Sequence, residues 1–330
     1  MPSCRSLAVS ESVCKDNPEY FSRFAPRIHP ESTIADHAAM QCQIDLYGDD
    51  VGKRFGSHNA HSGNFTALTA PESLPDRLAL IAYTIEYAFI HDDDTDNAGD
   101  PQTLLQENTT LLQALNLNGN DFPFTGLSEL GRKKAEVRAK IAAEFLRIDP
   151  VFGRWFLSSW KKFTESMQDV RDLHFSNLDE YLAFRVVDAA AIWTLSLIRW
   201  AAGLYLSPEE ERKAGPVSFL GYAALALTND LFSYEKERVS YVESNRKVPF
   251  VNAVFIVMQT LSISEEEAKE VVKGEIRIHE DQFQKRREEY IAGPEASSSI
   301  AYWFQILEYS ISGNFMWSLR TPRYWKNIDK

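Results

Sequence analysis

Three features of the sequence predict an all-α fold. From Pro75 onward apolar residues recur at helical rather than alternating spacing. Runs of β-branched residues bounded by turn signals are scarce. The breakers Asp149-Pro150, Ser207-Pro208 and Gly293-Pro294 cut the chain into lengths suited to helices. The period predicts helices over roughly 36–46, 76–92, 102–115, 127–147, 150–168, 178–203, 208–237, 248–260, 264–291 and 297–319.

The elements follow in order from local chemistry. Asp149-Pro150 ends the helix over 127–147 and opens the one over 150–168, because proline is tolerated where a helix begins. Ser207-Pro208 opens another, with Glu209 to Glu211 filling its first turn. Gly215-Pro216 interrupts that pattern. It either kinks a long helix or separates a short helix from the one carrying Asn229, and the second reading fits better. Residues 181–203 and 217–232 are apolar nearly all round, which places them inside the bundle. Arg185, Asp188, Asn229 and Asp230 on those segments would each cost several kcal/mol if buried without a partner or bound ion.

The 330 residues, 44% hydrophobic and 25% charged, supply a large core. No Pro/Gly/Ser-rich linker, low-complexity run or internal repeat divides them, so residues 1–330 read as one domain, with 1–35 expected to be partly irregular. A net charge of -12 excludes nucleic acid as a partner, and an anionic substrate would need metal ions or a local basic cluster. Cys4, Cys14 and Cys42 form neither a disulfide framework nor a metal motif. Residues 1–17 lack the apolar core of a secretory signal, and the longest apolar stretch, 189–198, falls short of the roughly 20 residues a membrane span requires. A soluble protein of the reducing cytoplasm is expected.

Two stretches carry the chemistry. In Asp92-Asp93-Asp94-Thr95-Asp96 a helix puts Asp92 and Asp96 on one face. In Asn229-Asp230-Leu231-Phe232-Ser233-Tyr234-Glu235-Lys236-Glu237, the residues Asn229, Ser233 and Glu237 at i, i+4 and i+8 share another. Carboxylate, amide and hydroxyl oxygens are the ligands magnesium prefers when it bridges protein to substrate phosphates. A calcium-binding EF-hand loop starting at Asp92 fails, since Asn97 and Thr103 stand where Gly and Glu are needed. A metal dyad of His91-Asp92, as in HD-type phosphohydrolases, leaves the second stretch unexplained. A bland reading makes the first stretch a solvated acidic helix end and the second an ordinary last turn. It must apply twice in one apolar helical chain.

These motifs resemble those of class I terpene synthases, whose marks are DDxxD and NDxxSxxxE. Asp92, Asp93 and Asp96 match the first, and Asn229, Ser233 and Glu237 match the second. The resemblance runs from about residue 36 to the C-terminus. It implies a single α-helical bundle of the class I terpenoid synthase fold and three magnesium ions bound with diphosphate. It further implies a diphosphate sensor, linker and effector in Arg185, Asp188 and Ala189, and diphosphate donors in Arg185, Lys236, Arg323 and Tyr324. Asp94 is an extra carboxylate; at about 100° per residue it points away from Asp92 and is left out of the ligand set.

His91-Asp92-Asp93, Ser310 to Asn314, Trp317-Ser318-Leu319 and Pro322-Arg323-Tyr324 are more similar still to the cyclase domain of fungal bifunctional terpene synthases, the group containing fusicoccadiene synthase. In that group a C-terminal prenyltransferase domain makes the diphosphate that the cyclase consumes. The implied activity is that of a lyase of diterpene secondary metabolism. It ionises an allylic isoprenoid diphosphate, geranylgeranyl diphosphate in preference to the C25 geranylfarnesyl diphosphate, and cyclises the carbocation. A homo-oligomer is compatible with this. Phe65, Phe89, Trp193, Tyr222 and Trp317 are candidate cavity-lining aromatics for cation-π contact. A chain-elongating enzyme would need a second Asp-rich motif in place of Asn229 to Glu237. A non-catalytic isoprenoid-binding module would not need the whole triad.

Overall fold

The computed structural model describes residues 5–10, 17, 19–48, 56–57, 63–96, 128–166, 173–243 and 250–325. The helix expected over 102–115, and Cys4 and Cys14, lie outside the described residues. Two short strands, β1 (Leu7–Ala8) and β2 (Arg27–Ile28), pair antiparallel. All other regular elements described are helices: α1 (Ser32–Tyr47), α2 (Phe65–Thr69), α3 (Pro75–Asp96), α4 (Glu129–Ile148), α5 (Pro150–Ser166), α6 (Leu178–Asp188), α7 (Ala191–Ala201), α8 (Pro208–Glu243), α9 (Ala253–Leu261), α10 (Glu265–Ala292), α11 (Ser298–Ser318) and α12 (Pro322–Trp325).

Side-chain caps start many of these helices, satisfying amides that no preceding turn can reach. Asn64, Ser128, Asn177, Asn252 and Ser297 each accept a hydrogen bond from a first-turn N–H. Ser264 and Glu267 form a reciprocal capping box at α10. The helix α8 packs along α10 and α11, and α1 along α3. Between them lies the main core, where Phe145, Phe156, Trp200, Trp303 and Phe304 are buried. Gly313 on α11 permits its closest approach, because a Cβ there would run into the Leu68 backbone of α2.

The helix expected over 248–260 begins only at Ala253, that over 208–237 runs on to Glu243, and two breaks differ from expectation. The span 178–203 is two helices, broken where Ala190 takes a left-handed conformation at φ 54°, and the pair bends by 47°. An alanine carries no turn signal, and a non-glycine residue in that region costs roughly 1–2 kcal/mol, which surrounding packing must offset. The break leaves Arg185 and Asp188 in the last turn of α6. The second difference is Pro216, which separates nothing: α8 is continuous from Pro208 to Glu243. Arg212, Gly215 and Pro216 are all exposed, so water can hydrate the carbonyl that the proline leaves unbonded. The apolar face beyond it then holds the helix together.

No single helix among the described residues is long and apolar enough to cross a membrane, although the bent pair α6 and α7 meets that test jointly by length and composition. Tyr181, Leu182, Leu195, Leu197 and Trp200 on that pair are buried in the core.

Candidate active site

The end of α3, the middle of α8, the end of α6 and the short α12 bring most of the predicted polar residues together. Asp230 on α8 is fully buried and is the hub of one half. Its Oδ1 accepts from Arg185 Nε at 2.8 Å, and its Oδ2 accepts from the Tyr181 hydroxyl at 2.5 Å and the Ala253 amide at 3.0 Å. Arg185 also donates to Asp188 Oδ2 at 2.6 Å and to Asn229 Oδ1 at 3.2 Å. Burial alone would lower the pKa of the Arg185 guanidinium, but Asp230, Tyr181 and Asp188 outweigh it and hold the group charged. Burial also raises the Asp188 carboxyl, with Arg185 opposing.

The other half is built on Asp93. Its carboxylate accepts from Lys236 Nζ at 2.8 Å and from Arg323 at 2.7 Å, while a second Arg323 nitrogen reaches Asp92 Oδ2 at 3.0 Å. Burial pushes the Asp93 carboxyl up, and Arg323 and Lys236 more than reverse this, leaving it below its ordinary range. Asp94 turns away and pairs with Lys134 on α4 at 3.0 Å, as the helical period predicts. Asp96 is the last residue of α3; only its backbone is described.

Consecutive residues of α12 join the halves. Arg323 holds Asp92 and Asp93, and the Tyr324 hydroxyl accepts from Asn229 Nδ2 at 2.8 Å. Thus the two motifs, more than a hundred residues apart in sequence, share one clamp.

The donor set fits a hard divalent cation. Ser233 Oγ is buried with no well-formed hydrogen bond among the described residues, yet it lies close enough to Glu237 to favour that residue's charged form. The Glu237 carboxyl is pushed up by burial, against the pull of Arg185, so a cation beside it would relieve a real penalty. Asn252 Nδ2 donates to Glu237 Oε2 at 2.8 Å and to the Asp230 carbonyl at 2.8 Å, fixing the carboxylate on α8. Asn229, Ser233 and Glu237 therefore present amide, hydroxyl and carboxylate oxygens along one face of α8, the set magnesium takes alongside phosphate. Among the described residues no three His, Cys, Asp or Glu side chains gather to hold an ion by themselves.

An aromatic triangle adjoins the clamp. The Phe65, Phe89 and Trp317 rings lie 5.3, 5.1 and 5.2 Å apart, Tyr324 is 5.5 Å from Trp317, and Arg323 sits 4.9 Å over Phe89. The other two candidate aromatics lie elsewhere: Trp193 packs with Phe156, Trp160 and Phe163, and Tyr222 is on α8, its hydroxyl pushed up to about 12 by burial. Ala189 caps α6, its amide bonded to the Arg185 carbonyl at 2.7 Å.

Tyr181 and Asn252 escaped sequence reasoning. Tyr181 lies one turn before Arg185 on the same face, a spacing that could have flagged it; Asn252 shows only as a helix cap.

Residues 83–282, more than half of the chain, match the family described as terpene synthase family 2, C-terminal metal binding. The chain belongs to that family. This terpene synthase family member is 52% identical over 322 residues to a cyclopiane-type diterpene synthase of Penicillium chrysogenum, covering 97% of this chain and 42% of the relative. It is likewise 52% identical over 320 residues to a conidiogenone synthase of Penicillium roqueforti, covering 97% and 43%. The chain thus spans less than half the length of these curated relatives. Its fold is that of aristolochene synthase from Penicillium roqueforti, at a TM-score of 0.72 and 20% identity over 91% of this chain and 99% of that one.

Proposed function

We propose that the chain is a magnesium-dependent class I terpene cyclase that ionises geranylgeranyl diphosphate and folds the carbocation into a polycyclic diterpene hydrocarbon, releasing diphosphate. The α12 clamp carries the reading: Arg323 bonds Asp92 and Asp93 while its neighbour Tyr324 bonds Asn229, so consecutive residues tie the two motifs together. The 52% identical relative named a cyclopiane-type diterpene synthase supports the C20 substrate.

In this reading Asn229, Ser233 and Glu237 on one side, and Asp92, Asp93 and Asp96 on the other, hold three magnesium ions. When bound, the ions supply positive charge that stabilises a departing diphosphate. Arg185, Lys236, Arg323 and Tyr324 would donate to its oxygens, Lys236 and Arg323 being the cations that here face Asp93. Asp230 and Asp188 keep Arg185 charged and aimed. Phe65, Phe89 and Trp317 offer ring faces and exclude water; each cation-π contact is worth about 0.5–2 kcal/mol. Trp193 and Tyr222 would line more distant parts of the cavity. Released diphosphate is itself a competent base for the final proton.

The reading includes a cytoplasmic setting and room for homo-oligomers, and it holds equally for a free-standing cyclase and for a cyclase domain joined to a C-terminal prenyltransferase domain. Incubation with magnesium and, separately, farnesyl, geranylgeranyl and geranylfarnesyl diphosphates, followed by mass-detected gas chromatography, tests it. A cyclic C20 hydrocarbon is expected. A C25 product only would move the substrate to geranylfarnesyl diphosphate, and diphosphate release without hydrocarbon would contradict cyclisation.

A further inference from the structure

One buried carboxylate lies outside the polar site, yet is wired to its aromatic wall. Glu86, on α3 and fully buried, accepts from Gln43 Nε2 at 2.6 Å on one oxygen. Its other oxygen accepts from the Ser57 amide at 2.6 Å and the Ser57 hydroxyl at 2.5 Å. Three short donors around one carboxylate make a stiff anchor. Gly56 presses so closely on this carboxylate that a Cβ there would collide with it unless the Glu86 side chain shifted.

Ser57 passes the constraint on. Its carbonyl accepts from the Phe65 amide at 2.9 Å and from Trp317 Nε1 at 3.0 Å. Two corners of the aromatic triangle thus hang from one oxygen, and Glu86 determines where that oxygen stands. The indole is fully buried, and this bond fixes which way its ring faces. The partners are 29 and 260 residues apart in the chain, so nothing local enforces the arrangement.

We propose that Glu86 is a positioning residue that acts through Ser57 to set the orientation of Trp317 and the place of Phe65, and thereby controls which product the carbocation forms rather than how fast the diphosphate leaves. This rests on the cyclase reading above. Carbocation routes diverge on small differences: a fivefold change in the ratio of two products is only about 1 kcal/mol. Ionisation depends on the polar clamp, which these hydrogen bonds do not touch.

The test uses Ser57→Ala, which keeps the backbone carbonyl but loses the hydroxyl bond, together with Glu86→Gln. Two readouts are taken: product proportions beside total diphosphate release, and the Trp317 indole N–H signal in protein labelled with 15N-tryptophan, assigned with Trp317→Phe. The expected result is a shifted indole signal and product ratios altered by about fivefold or more, with diphosphate release within about threefold of wild type. An unmoved indole signal in both variants overturns the proposal. So does a parallel fall of product and diphosphate release with proportions unchanged, which marks a merely structural role. Wild-type chain yielding no hydrocarbon from any of the three diphosphates would overturn the cyclase reading itself, and product control with it; that failure is read on wild type alone.

Discussion

Replacing Asp230 with asparagine should be costly before any substrate or metal is added. The side chain is fully buried, and Arg185, its ionic partner, is only 8% exposed. In Asp230→Asn the volume is kept, but one oxygen becomes an NH2 group facing donors from Arg185 on one side or Tyr181 and Ala253 on the other. Removing one member of a buried ion pair costs about 3–5 kcal/mol. Asp188 still shares the Arg185 charge at 2.6 Å, which points to the lower end, about 3 kcal/mol. Tyr181→Phe removes one hydrogen bond to a charged acceptor and should cost about 1.5–3 kcal/mol. Urea unfolding of magnesium-free protein measures both variants, and the double variant should show a coupling of about 1–2 kcal/mol. A loss under about 1 kcal/mol for Asp230→Asn, or strictly additive losses, would refute the view that Asp230 is the hub holding Arg185.

Three further outcomes are expected. Asp92→Ala and Asn229→Ala should each slow diphosphate release by about 100-fold or more, equal to about 2.7 kcal/mol, whereas Asp94→Asn stays within about threefold, because Asp94 faces Lys134; equal losses in a release assay would contradict the assignment of faces. Chelation by EDTA should stop turnover and added magnesium restore it, while the far-ultraviolet circular dichroism of the metal-free chain stays helical. Glu280, buried beneath Ser22 and Arg23, has its carboxyl pushed up to about 6 by burial. Its folded form therefore holds the proton more tightly than the unfolded form at 4.5, so its stabilising contribution is full below pH 4.5 and lost as pH rises through 6. Wild type should lose about 2 kcal/mol relative to Glu280→Gln across that window in denaturation measured at stepped pH.

Much of this site was legible because its chemistry sits on helical spacing. Asn229, Ser233 and Glu237 share a face whatever the tertiary structure does, and the same periodicity removed Asp94 from the ligand set. The pairing of Arg323 with Asp92 and Asp93, and of Tyr324 with Asn229, was not readable from spacing; only family resemblance brought those residues forward. Ser57 and Glu86 were invisible, since a serine in a polar stretch and one more acid on a helix carry no pattern until the fold brings them together. The Ala190 break and the continuity of α8 through Pro216 were hidden for one shared reason. Local signals describe the cost of a backbone conformation, whereas packing of buried residues such as Trp200, Leu227 and Leu231 decides whether the cost is met.

The central claim is that both motifs act on one diphosphate through shared metal. Calorimetric titration of magnesium and inorganic diphosphate, singly and together, tests it most directly. The account predicts that each tightens binding of the other reciprocally, and that Asn229→Ala and Asp92→Ala each abolish this mutual effect. Diphosphate binding with the same affinity whether or not magnesium is present would contradict it.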